Sequence, residues 1–472
     1  SSGTKIIKKA LIATTILSGL TNAASADLYR SNNAGTMVIE VGVNPTNVQR
    51  PFLNFTPIDA WEATDSLYWD GKSQNLEIGA NSNAGDVATL DLDGVNNRKI
   101  TVTESSIIGS IIDSAGGGSA TLIINDGKTA SFSKIDGQKA NQTNQDGGIY
   151  NALAAMTLGN ADGAAASLTI NTSTTISAPI DSAATSANAG NISINNATTF
   201  SSTIGATHPV GTIDIANTAN FNAAVTAATL SLNGGSATFA AAITGDVIST
   251  ANGGTLTATT IDGNLDFTNG GTVTSATSVT GDVALANNAS ITTIGNIGGD
   301  ATLSNAATVT STGTIGGNLD VSGSALFTGT ANATNVAGTV VVNSTNANAT
   351  IIHNATGAVT LTAGSLTMNN AAANIVVNGG TLTMNDATGN AATVTVNAGS
   401  FNANDITNDL AVTGGTVTAV NSVGNDLLAS GGAVTTIGNI GGNATLSGTS
   451  SATSTGTIGG NLDVSGSALF TG

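Results

Sequence analysis

The chain has 472 residues, with 59 glycines, no cysteine, 8% charged and 3% aromatic residues, and a net charge of −18. That composition excludes a disulfide-stapled fold and a thick globular core filled by bulky side chains. After Lys139 the charged side chains are fifteen aspartates with no Lys, Arg or Glu, which excludes nucleic acid and anionic lipid as partners of 140–472 and leaves cationic partners or Ca2+.

Residues 1–26 read as an export signal. Lys5, Lys8 and Lys9 precede the apolar run "ALIATTILSGL" (10–20), and "ASA" (24–26) supplies a small-x-small cleavage site between Ala26 and Asp27. The apolar run is too short to span a bilayer, and no later run approaches that length. The mature chain is expected to start at Asp27 and to leave the cytoplasm.

Residues 27–74 differ from everything after them. They hold three of the five prolines, both tryptophans (Trp61 and Trp69), Tyr68, Phe52 and Phe55. Thr56, Pro57 and Asp59 form a helix-start signal. The section is expected to cap the open end of a sheet. Its functional alternative is a ligand platform of Trp61, Tyr68 and Trp69, suited to sugar.

From about 75 the chain alternates apolar and polar residues with period 2, as in "VATLDLDG" (87–94) and "ATLIINDG" (120–127). The polar stretch 134–148 is expected to leave the body as an excursion loop. "LTINTSTTI" (168–176), "ISINNATTF" (192–200) and "IDIANTANF" (213–221) then repeat one pattern at loose intervals. After about 245 the repeat tightens. A Gly/Asn-Asp/Asn motif stands at Asp246, Asn264, Asp282, Asp300 and Asn318, and returns at Asp409, Asp426, Asn443 and Asn461. Apolar columns keep the same step: Ile243, Ile261, Val279, Ile297, Ile315; Phe267, Leu285, Leu303, Val321; Val273, Ile291, Val309, Phe327. An 18-residue unit fits three short strands and three tight turns. The expected fold is all-β: a right-handed parallel β-helix with rungs of about 18 residues, irregular to about 245 and regular after. "TIGGNLDVSGSALFTG" occurs at both 314–329 and 457–472, very nearly eight periods apart. The chain stops inside a repeat, so a longer polypeptide is expected.

Parallel β-helices also carry polysaccharide lyases and hydrolases, whose chemistry needs clustered acids with Arg, Lys or His. Here the two histidines, His208 and His353, are far apart, and read as a turn residue and strand surface. No Gly-x-Ser-x-Gly stretch occurs. No catalytic residue and no cofactor are expected, and the chain is not expected to be an enzyme. For metal, the candidates are Asp282 with Asp300, one rung apart, and Asp91 with Asp93 in "DLDG". Calcium-binding Gly-Gly-x-Gly-x-Asp arrays are missing, and solvated turn aspartates are the expected outcome. Thr272-Val-Thr274, Ser290-Ile-Thr292 and Thr308-Val-Thr310 make a short outward hydroxyl ladder like that of ice-binding solenoids, which Leu326 interrupts; strand propensity accounts for it.

The signal sequence, the Cys-free Asn/Thr/Gly/Ala-rich body, and units such as "NIGGNATLSG" and "GTIGGNLDVSGSALFTG" resemble the passenger of a Gram-negative autotransporter, closest in texture to rickettsial surface cell antigens of the outer membrane protein A and B type. That resemblance implies a secreted, β-helical, adhesive protein projecting from the outer membrane through a C-terminal barrel, which is not in this sequence. The implied partners are molecules of host cells or neighbouring cells. A laterally assembling surface-layer protein organised by divalent ions is the alternative, and a secreted carbohydrate-active β-helix the third reading.

Overall fold

The computed structural model describes residues 27–31, 37–41, 53–54, 66–69, 76–78, 89–92, 97–113, 116–133, 148–160, 164–183, 190–310, 312–322, 324–328, 335–387 and 393–472. The export signal with Ala26, the helix-start signal at Thr56–Asp59, Trp61, Asp93 and all of the 134–148 loop except Gly148 lie outside them. The protein is a right-handed parallel β-helix. It divides into two compact units, Ser1–Leu230 and Ser231–Gly472.

The first unit starts with antiparallel pairs. Asp27–Ser31 pairs with Met37–Val41, and Leu53–Asn54 with Ser66–Trp69. Pairing then turns parallel, and it does so within the section expected as the cap: Met37 lies beside Leu76 and Ser66 beside Thr89. Later coils of this unit are long. Leu168 stacks on Ile192 and Ile192 on Ile213, steps of twenty-four and twenty-one residues. From Ala130 to Leu168 the step widens to thirty-eight, against twenty-four on either side, with the register kept.

Aromatic rings fill the wider interior of these coils. Phe200 and Phe221 stack with centroids 5.0 Å apart and planes 4° off parallel. Phe132 stacks on Tyr150 at 3.7 Å and 10°. The Tyr150 hydroxyl donates to the carbonyls of Ile108 and Gly109 at 2.9 and 3.1 Å, which satisfies its one polar group. Burial raises its pKa well above the ordinary phenol value, so the ring is a neutral strut.

In the second unit one inner column runs unbroken through thirteen coils: Ile243, Ile261, Val279, Ile297, Ile315, Val336, Ala355, Ala371, Ala387, Ile406, Val423, Ile440 and Ile458. Ile261 therefore lies over Ile243 and under Val279, as the 18-residue period predicts. The columns through Phe267 and through Val273 also stand as expected. Eight coils separate Ile315 from Ile458, so the two copies of the sixteen-residue block occupy equivalent places. The regularity is looser than the sequence suggests, since coil steps range from 16 to 22 residues.

The strands also depart from simple alternation. In Thr272–Val279 the inward residues are Val273, Ala276 and Val279, every third position. Period 2 holds only while a strand is straight. A spacing of three means that the backbone rounds a corner inside the strand, and register shifts there against the coil beneath. Left-handed turns fall on Asn287, Asn288 and Asn305, residues that tolerate positive φ; Ala306, at φ 63°, is the costly exception.

Candidate functional site

A recurring polar feature of the described residues is the Asp/Asn column. Its residues sit at the corner just before the strands Val283–Leu285, Ala301–Leu303 and Leu319–Val321. Each side chain reaches to the coil that follows. The Asn264 N–H donates to Asp246 Oδ1 at 2.9 Å, Asp282 N–H to Asn264 Oδ1 at 2.8 Å, and Asp300 N–H to Asp282 Oδ1 at 2.8 Å. Asn318 N–H continues to Asp300 Oδ1 at 2.7 Å, and Thr339 N–H to Asn318 Oδ1 at 2.8 Å. The pattern resumes from Asp409 through Asp426 and Asn443 to Asn461, at 3.1, 2.6 and 2.9 Å.

This explains why Asn and Asp mix freely in the motif. The bond uses Oδ1 alone, an acceptor that both side chains possess. It also explains the preceding glycine. A Cβ added at Gly299 would land on Asp282 Oδ1, and one at Gly317 on Asp300 Oδ1. The Gly-Asp/Asn pair is thus one device: the glycine leaves space, and the side chain below fills it to satisfy a corner N–H. A second corner does the same with Asn296, Asn335 and Asn439, whose Oδ1 atoms accept from Thr314, Asn354 and Thr457 at 3.1, 3.1 and 2.9 Å.

Asp282 and Asp300 are brought together as the sequence predicts, but each Oδ1 is tied to a backbone N–H of the next coil. Among the described residues no three His, Asp or Glu side chains gather as a metal ion requires. Asp91 ends the strand Thr89–Asp91 and lies in register with Tyr68; Tyr68 and Trp69 end the strand Ser66–Trp69. Asp27 opens the strand Asp27–Ser31. His208 sits in a bend, its N–H 3.2 Å from Asp181 Oδ1, and His353 lies in the strand Val340–Ala355, both half-buried.

An open groove of about 590 Å³ runs along the outside of the first unit, lined by Asn151, Ser173, Thr175, Ser177, Thr199 and Asn220 among others. The residues that line it include no Asp, Glu, His, Lys or Arg, and the hydroxyl of Tyr150, which also lines it, donates to backbone carbonyls. The hydroxyl ladder is present as read: Thr272, Ser290 and Thr308 stack in register with Leu326 next, and Ser290 Oγ donates to Thr272 Oγ1 at 3.2 Å. The sequence reading missed what lies beyond Leu326, where coil lengths change and the column resumes. It also missed the acceptor role of the Asp/Asn corner, for which the fixed Gly-Asp/Asn pairing was the available signal. No helix among the described residues is long and apolar enough to cross a membrane, which says nothing of β-barrels. No protein-family profile, no curated protein and no solved structure matches this chain.

Proposed function

We propose that the chain is an exported structural and adhesive protein of the bacterial cell surface, the β-helical passenger of an autotransporter, with no catalysis of its own. The observation that carries this reading is the unbroken inner column from Ile243 to Ile458. Stacking coil on coil makes a scaffold whose length grows with coil number while its cross-section stays constant. Its outward Thr, Ser and Asn side chains present polar groups to whatever it meets. A body without cysteine, preceded by an export signal, suits passage through the envelope and display outside it. Attachment to host cells or to neighbouring cells, through an outer-membrane barrel encoded beyond this sequence, is the role that follows.

The test is display of the complete gene product on a Gram-negative cell. Proteinase K added to intact cells should remove the 231–472 epitopes, while a form lacking residues 1–26 should stay protected until lysis. Cells displaying the chain should bind host cells or one another more than cells without it. A full-length product that is protected in intact cells overturns the reading.

A further inference from the structure

The outer face of one sheet of the second unit carries a two-dimensional array of hydroxyls far larger than the short ladder legible in the sequence. One column runs in register through Ser236, Thr255, Thr272, Ser290, Thr308, Leu326, Asn348, Ser365, Thr381, Ser400, Thr416, Ala433, Ser451 and Leu469. Two residues further along each coil stands a threonine: 238, 257, 274, 292, 310, 328, 350, 367, 383, 418, 435, 453 and 471, with Asn402 as the exception. The pairs Thr328–Thr350, Thr350–Thr367, Thr367–Thr383 and Thr453–Thr471 are in direct register. Between the columns lies the buried residue of each strand, Val273, Ile291, Leu366, Leu382 and their equivalents. Coils of different length keep the first column aligned, because the extra residues are taken up elsewhere on the coil; the second column steps out of register at two places, where Thr257 pairs with Ser275 and Asn402 with Ala419.

The spacing follows from β geometry: about 4.8 Å from coil to coil and about 6.7 Å across a strand from one column to the other. Over fourteen coils the array extends roughly 60 Å. None of the unit's aspartates falls in either column. In a unit whose only formal charge is acidic, this face is electrically neutral.

Those properties narrow the occupant. A protein partner is gripped by a few Trp, Tyr or Arg anchors, and this face holds none. Nucleic acid and anionic lipid require cations. The array offers many equal, weak contacts repeating in two directions, which gain strength only against a partner that repeats likewise. Each threonine sets a hydroxyl, which fixes a water, beside a methyl, which restricts the orientation of the water around it. We propose that this face binds ice, a neutral solid built of hydrogen-bonded water repeating in two dimensions. The proposal stands whether or not the chain is displayed on a cell.

The test is partition of the purified full-length protein, labelled at its N-terminus, into a slowly growing ice hemisphere, with inhibition of ice recrystallisation as a second readout. The wild type should be enriched in the ice. Thr367→Lys with Thr383→Lys, two registered and exposed positions at the middle of the array, should lower the partition at least tenfold. Thr360→Lys with Thr395→Lys, outward on a different strand, on the coil of Thr367 and on the coil after that of Thr383, should leave it unchanged. Circular dichroism of all forms establishes folding, and Thr367→Ser with Thr383→Ser, which keeps the hydroxyls and removes the methyls, gives a milder change should the lysine pair fail to fold. Exclusion of the wild type from ice overturns the proposal. So does an equal loss in both lysine pairs, or a face that instead drives dimerisation or retention on a neutral polysaccharide without ice partition.

Discussion

The two compact units solve one problem differently. Both must hold successive coils in register, and register in a parallel ladder is lost if a coil slips by a residue. Where it stacks Leu168 on Ile192 and Ile192 on Ile213, the first unit uses long coils with a wide interior locked by stacked aromatic pairs. The second has shorter coils with mostly aliphatic columns, among which Phe267, Phe327 and Phe401 are buried, and it fixes register at the corners, where Asp or Asn Oδ1 meets the N–H of the next coil. Large side chains specify position by shape, and corner acceptors specify it by direction.

Substitutions at three positions break or sharpen that contrast. The largest effect belongs to the aromatic unit. Phe200→Ala removes one ring of the 5.0 Å stack and should destabilise that unit by about 3–5 kcal/mol, read as a lower midpoint in urea. A loss below about 1 kcal/mol would mean that the stack does not set the register.

The corner device comes next. Asp300→Ala leaves the Asn318 N–H without its acceptor and should cost about 1–2 kcal/mol, whereas Asp300→Asn, which keeps Oδ1, should stay within about 0.5 kcal/mol. If Asn is as damaging as Ala, the carboxylate charge matters and the acceptor account fails. Addition of calcium during the same melts separates a metal role, which would raise the melting temperature of the wild type and not of Asp300→Asn.

The smallest effect concerns Asp320, which faces outward between Thr302 and Val341. Its Oδ1 is buried with no hydrogen-bond partner, and burial raises its pKa above the ordinary 3.8. Three coils earlier Asp266 occupies the same place with its Oδ1 held by the Thr268 N–H and Oγ1 at 2.9 and 2.6 Å. A raised carboxyl pKa means that the native state keeps a proton which the unfolded chain releases. The stabilising contribution is therefore present below pH 3.8 and is lost as the pH rises through the higher native value. Asp320→Asn should be more stable than the wild type at neutral pH and converge with it in acid. A gap that persists below pH 3.8 would remove the titration from the explanation.

Much of this was legible in the residues. The step from Ile243 to Ile261 to Val279 could be read because five successive coils keep one length, so period and register coincide. The equivalence of the two sixteen-residue blocks was legible because the unequal coils between Ile315 and Ile458 average very nearly the same length. The hydroxyl array was not. Counting by 18 from Leu326 arrives at Ser344, whereas the chain places Asn348 there, then Ser365 and Thr381. The corner within Thr272–Val279 was equally hidden, since "TVTSATSV" alternates well enough to pass for a straight strand.

By itself, then, the sequence determined the class of fold and the inward columns that keep one step, because burial of apolar side chains imposes a spacing that can be counted along a chain. Tertiary structure alone decided which outward residues share a column. Backbone hydrogen bonds between coils align the strands and push every insertion to a corner, so neighbours in space are set by the ladder and not by the distance between them in sequence.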